Sequence, residues 1–369
     1  MVLLEARNLE VERGGTVILN IPSLTVQQGE TLSLIGPNGA GKTTLLQALC
    51  YLLKPFRGEI SFKGERVNAN HSAFAYRRKL AMVFQEPLLF DTTVFENVAS
   101  GLRIRGIAKE DVPWIVMQQL DRFGIGHLSR RSARKISGGE AQRTSLARAF
   151  ALQPEILLLD EPFASLDPPT RESLIEDLEG ILRQTQTTTL FATHDRQEAL
   201  RLSDRIAVMN NGKILQIGSP EEVMNHPVDE FVASFVGVET NLTGNVIRKS
   251  GGTFMASVAE HEVEAVGEAQ VGEQVVLGIR PEHVTLAAHS SREITSARNV
   301  FPAIIQKVIS LGLYQKVQLD CGFPLVAYVT HHSMENLSLG EGKVVMASFK
   351  ATAIHVIRRK TLGAVPNAV

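Results

Sequence analysis

One stretch of this sequence decides the fold of its first part: Gly36-Pro37-Asn38-Gly39-Ala40-Gly41-Lys42-Thr43-Thr44. It fits the pattern G-x-x-x-x-G-K-[ST], in which glycines let successive backbone N–H groups point at phosphate oxygens. The apolar segment Thr31–Ile35 before it predicts a strand, and leucines at helical spacing after it predict a helix. This order predicts a phosphate-binding loop, with Lys42 on the β- and γ-phosphates and Thr43 on Mg²⁺.

Apolar segments further along the chain predict the rest of a largely parallel sheet. Residues 156–159 are continuously apolar, as in a central strand covered on both faces. Residues 187–193 are rich in β-branched side chains and predict another strand. Asn210-Asn211-Gly212 separates two apolar runs and predicts a hairpin. The alternation of strands and helices indicates an α/β domain.

Asp160 and Glu161 follow the apolar run of the predicted central strand. A carboxylate at this position, beside the phosphate-binding loop, can hold Mg²⁺ directly or through water. The next carboxylate can polarise a water molecule for attack on the γ-phosphate. We therefore expect Asp160 to bind the metal and Glu161 to act on the water.

Composition and charge exclude several classes of protein. The chain has 369 residues, with 38 basic and 39 acidic side chains and a net charge of −1. A protein bound to nucleic acid phosphates usually has a large basic excess, so we expect no nucleic acid partner. Two distant cysteines, Cys50 and Cys321, indicate a reducing compartment. No apolar window is long enough to predict a membrane span.

The pattern changes near residue 240, where short strands with glycine-containing turns replace helices. We expect a first domain over residues 1–238, with a helical insertion at about 71–135, and an all-β domain over 241–360. Residues 242–247 resemble 301–305, and residues 272–277 resemble 340–345. The similarity predicts two successive small β-barrel units of the OB-like kind, at about 241–288 and 296–360. Residues 289–296 are the predicted linker, and 362–369 the predicted loose tail.

Six ordered motifs resemble those of the ATP-binding cassette (ABC) ATPases. The phosphate-binding loop and the Asp160-Glu161 pair are two features of that pattern. The others are the signature Ile136-Ser137-Gly138-Gly139-Glu140-Ala141-Gln142-Arg143, Gln85 of the Q-loop, Asp167 of the D-loop in Ser165-Leu166-Asp167, and the switch histidine His194.

This resemblance implies an ATP-hydrolysing homodimer in which two copies enclose two ATP molecules. The loop from Gly36 to Thr44 of one copy would hold each ATP, with Asp167 also at the nucleotide. Ser137, Gly138 and Gly139 of the other copy would close on the γ-phosphate. Glu161 would be the general base, and His194 would contact the γ-phosphate. Gln85 would contact Mg²⁺ and the attacking water, beside Thr43 and Asp160.

The sequence departs from the family pattern at three positions. Ile136 and Glu140 stand where the signature usually has Leu and Gln. Arg13, before Gly14-Gly15, occupies the place of an aromatic residue that usually stacks on adenine. A guanidinium can also stack on a base, but it buries less apolar area, so the adenine contact is not defined by the sequence.

The end of the chain resembles molbindin-type (TOBE) domains, which bind molybdate or tungstate. The resemblance lies in the segments at 295–299 and 347–352, which contain Ser296, Arg298, Lys350 and Thr352. Hydroxyls and one or two cations are the groups that a tetrahedral dianion requires. We therefore expect oxyanion binding at these four residues, while ordinary surface charges on a barrel are the competing interpretation.

The motifs together indicate the energy-coupling ATPase subunit of an ABC importer for tungstate or molybdate. Such a subunit would lie on the cytoplasmic face of the cell membrane, on separate permease subunits that receive cargo from an external binding protein. An importer of sulfate, iron, sugar or polyamine is one alternative. A soluble oxyanion-sensing ATPase that takes no part in transport is another. Tungstate and molybdate are too similar in size and charge for the sequence to separate them.

Overall fold

The structure is a computed structural model that describes residues 1–68, 72–288 and 296–357. The chain forms two compact units: a first unit, Met1–Pro220, and a second unit that begins at Glu221. The expected boundary at 238–241 is close to the start of the β-rich part at Thr240. The predicted tail and all of the predicted linker except Ser296 lie outside the described residues.

The first unit contains a four-stranded antiparallel sheet and a six-stranded, largely parallel sheet. The antiparallel sheet has the order β2-β1-β4-β5, and the other has the order β10-β9-β3-β8-β7-β6. The strands are β1 (Val2–Arg13), β2 (Thr16–Gln27), β3 (Thr31–Ile35), β4 (Arg57–Phe62), β5 (Glu65–Val67), β6 (Leu80–Val83), β7 (Ile156–Asp160), β8 (Thr188–Thr193), β9 (Arg205–Asn210) and β10 (Lys213–Gly218).

The predicted parallel sheet is confirmed. Every residue of β3, β7 and β8 is buried, because helices or the second sheet cover both faces. The predicted hairpin is also confirmed, since β9 and β10 are antiparallel and only β10 departs from the parallel direction. Its turn places Asn211 and Gly212 at φ 47° and 72°, the left-handed values that a tight hairpin requires.

Helices cover the parallel sheet and form a separate helical layer. They are α1 (Lys42–Leu49), α2 (Ser72–Arg77), α3 (Val94–Ile104), α4 (Val112–Arg122), α5 (Gly138–Ala151), α6 (Pro168–Thr185) and α7 (Arg196–Leu202). The helices α3, α4 and α5 share one apolar core with the sheet. In this core the rings of Phe123 and Phe150 have centroids 5.6 Å apart.

The structure differs from the expected helical insertion at 71–135. Leu80–Val83 is a strand that pairs with β7 at the edge of the parallel sheet. The helical layer instead extends from α3 through α5, and α5 lies beyond the expected end. The segment 80–83 has only four residues, and Met82 among them is partly exposed. Such a short pattern cannot distinguish a strand from a helix by periodicity.

The second unit contains two five-stranded antiparallel sheets, in the orders β13-β12-β11-β14-β20 and β15-β19-β16-β17-β18. The strands are β11 (Thr240–Ser250), β12 (Thr253–Val258), β13 (His261–Val266), β14 (Gln274–Ile279), β15 (Thr285–Ala288), β16 (Asn299–Ser310), β17 (Tyr314–Asp320), β18 (Pro324–Thr330), β19 (Val344–Phe349) and β20 (Ile354–Ile357). The helices are α8 (Pro220–Asn225), which crosses the boundary between the units, α9 (Glu230–Phe235) and α10 (His331–Asn336).

The two predicted OB-like β units are present as a repeat, and the structure shows that their strands are interleaved. Each half gives its last strand to the sheet of the other half: β15 pairs with β19, and β20 pairs with β14. A short 3₁₀ turn precedes each exchanged strand and directs it away from its own half. Apolar side chains of both halves form one core, so neither half completes a sheet or a core alone.

Within the described residues, none of the helices combines the length and apolar character that crossing a bilayer requires.

Candidate functional site

The carboxyl ends of four neighbouring parallel strands bring the predicted site residues of the first unit to one sheet edge. Ile35 of β3 pairs with Thr193 of β8, so the loop that begins at Gly36 lies beside His194. Val83 of β6 pairs with Leu159 of β7. The residues that follow these strands are therefore neighbours, as expected where ligands bind to parallel sheets.

The phosphate-binding loop turns tightly at its glycines. Gly39 and Gly41 have φ angles of 81° and 100°, values that side chains with a Cβ rarely adopt. A Cβ added at Gly36 would lie 2.3 Å from the carbonyl oxygen of Met209, so this position has no room for a side chain. The loop runs directly into α1, whose first residue is Lys42. Backbone N–H groups at such a helix start attract anions.

Lys42 is buried within the phosphate-binding loop. Its Nζ donates to the carbonyl oxygens of Gly36 and Pro37 at 2.8 and 3.2 Å. The same Nζ lies 3.3 Å from Oε1 of Glu161. The lysine charge is thus held between the loop and the expected general base.

Thr43 and Asp160 form an oxygen pair beside this lysine. The Thr43 hydroxyl donates to Oδ1 of Asp160 at 2.9 Å. Burial raises the pKa of Asp160, and the hydrogen bond from Thr43 opposes that shift. A hydroxyl and a carboxylate are hard oxygen donors, the kind that Mg²⁺ prefers in phosphate sites. The donor set therefore fits a magnesium ion.

Glu161 has an unusual backbone conformation at the end of the buried strand β7. Its φ angle is 46°, in the left-handed region that only a few per cent of non-glycine residues occupy. Its N–H donates to the carbonyl oxygen of Ala192 at 2.9 Å, which holds this conformation. Oε2 lies 3.0 Å from Nδ1 of His194, whose side chain is half exposed. The carboxylate is therefore held between Lys42 and His194.

Gln85 lies at the same sheet edge, two residues after β6, and is exposed. Among the residues that the structure describes, no hydrogen bond or ion pair joins its side chain to Thr43 or Asp160. Its expected contact with Mg²⁺ and the attacking water stays a prediction. Arg13 is also exposed, at the end of β1 before the Gly14-Gly15 turn.

The signature residues lie at the start of α5. Ser137 is the N-cap: its Oγ accepts from the N–H of Glu140 at 3.3 Å, and its own N–H donates to Glu140 Oε2 at 2.7 Å. This capping box fixes an exposed helix start at Ser137 and Gly138. Within the described ranges, no hydrogen bond or ion pair connects these residues to the phosphate-binding loop.

Asp167 lies at the start of α6, close to where α6 meets the signature helix α5. It caps α6 by accepting from the N–H and the hydroxyl of Thr170 at 3.2 and 3.0 Å, and these bonds lower its pKa. A Cβ at Gly139 would lie 2.4 Å from Cγ2 of Thr170, so the two helices meet where Gly139 has no side chain. The D-loop and the signature are therefore in contact within one copy.

Sequence reasoning missed a charged cluster beside His194, which we call the Arg171 cluster. It consists of Arg171, Thr193, Asp195 and Glu198. Arg171 comes from α6, more than twenty residues before its partners. The only local signal was the helix-capping pattern of Asp195, which accepts from the N–H groups of Gln197 and Glu198 at 2.7 and 3.2 Å.

The four candidate oxyanion residues are not brought together by a contact. Ser296, Arg298, Lys350 and Thr352 are all exposed, and within the described residues no hydrogen bond joins one to another. Their neighbour Asn299 is buried and exchanges two hydrogen bonds with the backbone of Glu264, at 2.8 and 2.9 Å. Asn299 thus ties β16 to the other half of the repeat.

One open cavity of about 980 Å³ in the second unit includes Thr352 in its lining. Three histidines, His226, His283 and His355, line the same cavity. His355 donates from Nδ1 to the carbonyl oxygen of Asn225 at 2.8 Å, and burial lowers its pKa. These histidines were not expected from the sequence, which contains no spacing motif for them.

Arg280 and Lys350 occupy the same position in the two halves, immediately before the two 3₁₀ turns. Lys350 is exposed, whereas Arg280 is buried and donates to the carbonyl oxygens of Met224 and Val236 at 2.7 and 2.9 Å. The segment around Arg280 therefore has a structural role, because it fastens α8 and α9 to the β sheets.

Two protein families match the sequence. The family described as ABC transporter matches residues 19–164, which contain the phosphate-binding loop, the signature and the Asp160-Glu161 pair. The family described as TOBE domain matches residues 295–356, the second half of the repeat. The two matches fall in the first and the second unit.

Relatives match over most of the chain. The molybdate/tungstate import ATP-binding protein WtpC of Pyrococcus horikoshii is 38% identical over 90% of this chain and 94% of its own length. The trehalose/maltose import ATP-binding protein MalK of Thermococcus litoralis is 34% identical, over 92% and 93%. The spermidine/putrescine import ATP-binding protein PotA of Borreliella afzelii is 37% identical, over 80% and 85%.

A solved structure resembles the first part of the fold. The structure of cbiO1 from Clostridium perfringens, described as part of the ABC transporter complex cbiONQ, has a TM-score of 0.57 and 28% identity. The match covers 64% of this chain and 95% of that one.

Proposed function

Because this chain belongs to the ABC transporter family of ATPases, we propose that it is the ATP-hydrolysing subunit of an importer for molybdate or tungstate. The observation that supports hydrolysis best is the position of Glu161 between Lys42 and His194, next to the Thr43–Asp160 pair. A lysine cation, a carboxylate base and a metal-binding pair at one sheet edge are the groups that phosphoryl transfer to water requires.

Each residue of this edge has one role in the proposed reaction. The N–H groups of the loop and Lys42 bind the phosphates of ATP, and in doing so Lys42 exchanges its loop carbonyls for phosphate oxygens. Thr43 and Asp160 hold Mg²⁺, which supplies charge neutralisation between the phosphates when bound. Glu161 accepts a proton from the attacking water, and His194 donates to the γ-phosphate. Gln85 contacts Mg²⁺ and the attacking water, and Asp167 lies at the nucleotide.

The signature supports a homodimer. Ser137 and Gly138 are exposed, and among the described residues no hydrogen bond or ion pair joins the capped start of α5 to the phosphate-binding loop of its own copy. We propose that Ser137, Gly138 and Gly139 bind the γ-phosphate held by a second copy. A capped helix start offers N–H groups and a hydroxyl, which suit an anion.

The dimer is tested with Glu161→Gln, which keeps the shape of the site and removes the base. We expect hydrolysis to fall ~10²–10³-fold, because general base catalysis contributes about that much. Mg²⁺-ATP should then convert the variant to a stable dimer, which light scattering detects. Glu155→Gln, at the other end of β7, is the control and should hydrolyse ATP like the native chain. A variant that stays monomeric with ATP and its permease would contradict the proposal.

The cargo is proposed from the relatives and from the TOBE match. Two relatives named as molybdate/tungstate import ATP-binding proteins are 38% and 36% identical over 90% of this chain. The sugar and polyamine relatives are 34% and 37% identical, so overall identity does not separate the cargoes. Ser296, Arg298, Lys350 and Thr352 provide hydroxyls and cations suited to an oxyanion, and we propose that they bind it.

The cargo test uses the chain assembled with its permease and external binding protein in vesicles, at the cytoplasmic face that we propose for it. We expect ATP-dependent uptake of molybdate and tungstate, and no uptake of sulfate, maltose or spermidine. Uptake of one of the latter instead would contradict the proposed cargo and leave the ATPase role intact.

Binding of oxyanion by the second unit is tested separately, by titration calorimetry of the full chain with molybdate. Arg298→Ala and Lys350→Ala should each weaken binding at least tenfold. Lys249→Ala, a surface cation of the other half, should not change it. Absence of heat with the native chain would refute binding there.

A further inference from the structure

His194 is held from both sides by the Arg171 cluster. The residue before it, Thr193, is 2% exposed and donates its hydroxyl to Glu198 Oε2. The same hydroxyl accepts from the N–H of Asp195, the residue after His194, at 3.0 Å. The backbone on each side of the histidine is therefore fixed by one side chain, Thr193.

Arg171 brings a second helix into this arrangement. Its Nε donates to Glu198 Oε1 at 2.8 Å, and its Nη2 donates to Asp195 Oδ2 at 2.6 Å. Glu198 is 4% exposed, so its carboxylate depends on protein partners rather than on water. A guanidinium presents its donors in a rigid planar fork that can bond two carboxylates in a fixed geometry, whereas the donors of an ammonium group rotate on a flexible stem.

Arg171 also lies one turn from the D-loop residue. Its backbone N–H donates to the carbonyl oxygen of Asp167, the N-cap of α6, at 2.9 Å. The start of α6 therefore contacts the signature helix through Thr170 and the loop of His194 through Arg171.

We propose that Arg171 is a positioning residue for His194: through Asp195 and Glu198 it sets the position of the imidazole relative to Glu161 and to the D-loop. Arg171 does not touch Glu161, Lys42 or the phosphate-binding loop in the described structure. Its loss should therefore lower the rate of hydrolysis and leave the affinity for ATP unchanged. The inference rests on the proposed ATPase role of His194 and goes beyond it.

The chain offers a matched control in Arg201. This residue of α7 also bonds to α6, with Nε donating to Glu179 Oε2 at 2.8 Å and Nη1 donating to Glu172. It joins the same two helices as Arg171 but makes no contact with Thr193 or Asp195 in the described residues. A general loosening of α6 against α7 should therefore affect both arginine variants equally.

The kinetic test measures kcat and KM of the full chain with Mg²⁺-ATP. We expect Arg171→Gln to lower kcat at least tenfold with KM within twofold of native, and Arg201→Gln to change neither by more than twofold. Thr193→Val should act like Arg171→Gln, and the double variant should lose no more than the larger single loss, because both changes break one cluster. Equal losses in the two arginine variants, or losses that multiply in the double variant, would overturn the inference.

Arg171→Lys is the variant to use if Arg171→Gln does not fold. It keeps the charge but loses the planar fork that holds both carboxylates in a fixed geometry, so kcat should still fall severalfold. A native kcat in Arg171→Lys would refute the inference.

A second readout does not depend on hydrolysis. The readout is the NMR chemical shift of the Hε1 proton of His194 in protein labelled at histidine, assigned by its absence in His194→Ala. This shift should change in Arg171→Gln and stay the same in Arg201→Gln. An unmoved signal in Arg171→Gln would refute the positioning role. A native chain that hydrolyses no ATP would instead refute the proposed function, while the histidine signal still decides the inference.

Discussion

At the scale of single residues, the local backbone determines where the carboxylates of Glu161 and Glu140 lie and what they can do. Glu161 has a φ angle of 46°, and such a conformation costs of the order of 1–3 kcal/mol and persists only where the surroundings impose it. The bond from its N–H to Ala192 and the flanking Lys42 and His194 impose it here. The strained residue is thus the one that the proposed reaction uses as its base.

Glu140 places a negative charge where the signature of a second copy would meet the γ-phosphate. The hydrogen bond from the Ser137 N–H lowers the pKa of Glu140, so its carboxylate is ionised at neutral pH. Glu140→Gln keeps both bonds of the capping box and removes the charge. We expect it to lower the KM for ATP a few-fold. Glu140→Ala also loses the hydrogen bond from the Ser137 N–H and should cost ~1 kcal/mol of stability.

Steady-state kinetics and chemical denaturation of the two Glu140 variants check this prediction. A higher KM in Glu140→Gln than in the native chain would show that the carboxylate does not face the nucleotide.

At the scale of secondary-structure elements, Arg280 and Lys350 occupy matched positions, yet replacement by methionine should destabilise the unit by very different amounts at the two. Arg280→Met removes the charged donor to the carbonyl oxygens of Met224 and Val236, which should cost about 2–4 kcal/mol. Lys350→Met removes an exposed charge and should cost less than ~0.5 kcal/mol. Hydrogen exchange at the amides of β14 measures both effects, and equal costs would contradict the structural role of Arg280.

His355 predicts a pH dependence of the same region. Burial lowers its pKa below the ordinary value of 6.5, and the charges of Arg280, His283 and His226 act in the same direction. The folded state therefore favours the neutral imidazole. As the pH falls below 6.5, the unfolded chain takes up a proton that the folded chain resists, so stability is lost.

His355→Gln should remove this acid loss, because glutamine keeps a donor for Asn225 and does not titrate. Hydrogen exchange at β20 and β14, compared between variant and native chain at pH 7.5 and 5.5, measures it. An equal acid response of the two chains would contradict the prediction.

The elements differ in how well the sequence predicts them. β3, β7 and β8 could be predicted because burial on both faces makes them continuous apolar runs. β1 and β2 were not identified as an antiparallel sheet, since register shifts at Val11/Glu12 interrupt their alternation. The site followed from local motifs, whereas Arg171 could not be assigned because its partners are distant in sequence and leave no local pattern.

At the scale of the whole molecule, the exchange of β15 and β20 was outside the reach of sequence reasoning. The repeat shows that the two halves resemble each other, but similarity does not identify which half pairs with which strand. Only the register shows β20 beside β14 and β15 beside β19.

The exchange of β15 and β20 predicts that neither half of the repeat folds without the other. A chain ending after Ala288 retains β11–β15 but loses β20, one of the two partners of β14, and β19, the partner of β15, together with half of the shared apolar core. We expect trypsin to digest its residues beyond 220 rapidly, while its first unit still binds a fluorescent ATP analogue. A chain ending after Pro220 is the control for nucleotide binding. Resistance of residues 240–288 to trypsin in the truncated chain would show that the first half folds alone.

The exchanged strands also set an order of events during synthesis on the ribosome. The first unit can fold once residue 220 has emerged, because all strands of its two sheets precede that point. The sheet that starts at Thr240 must wait more than a hundred residues for Ile354–Ile357. A nascent chain would thus acquire its nucleotide site well before its second unit, whose two halves close together in a single late step.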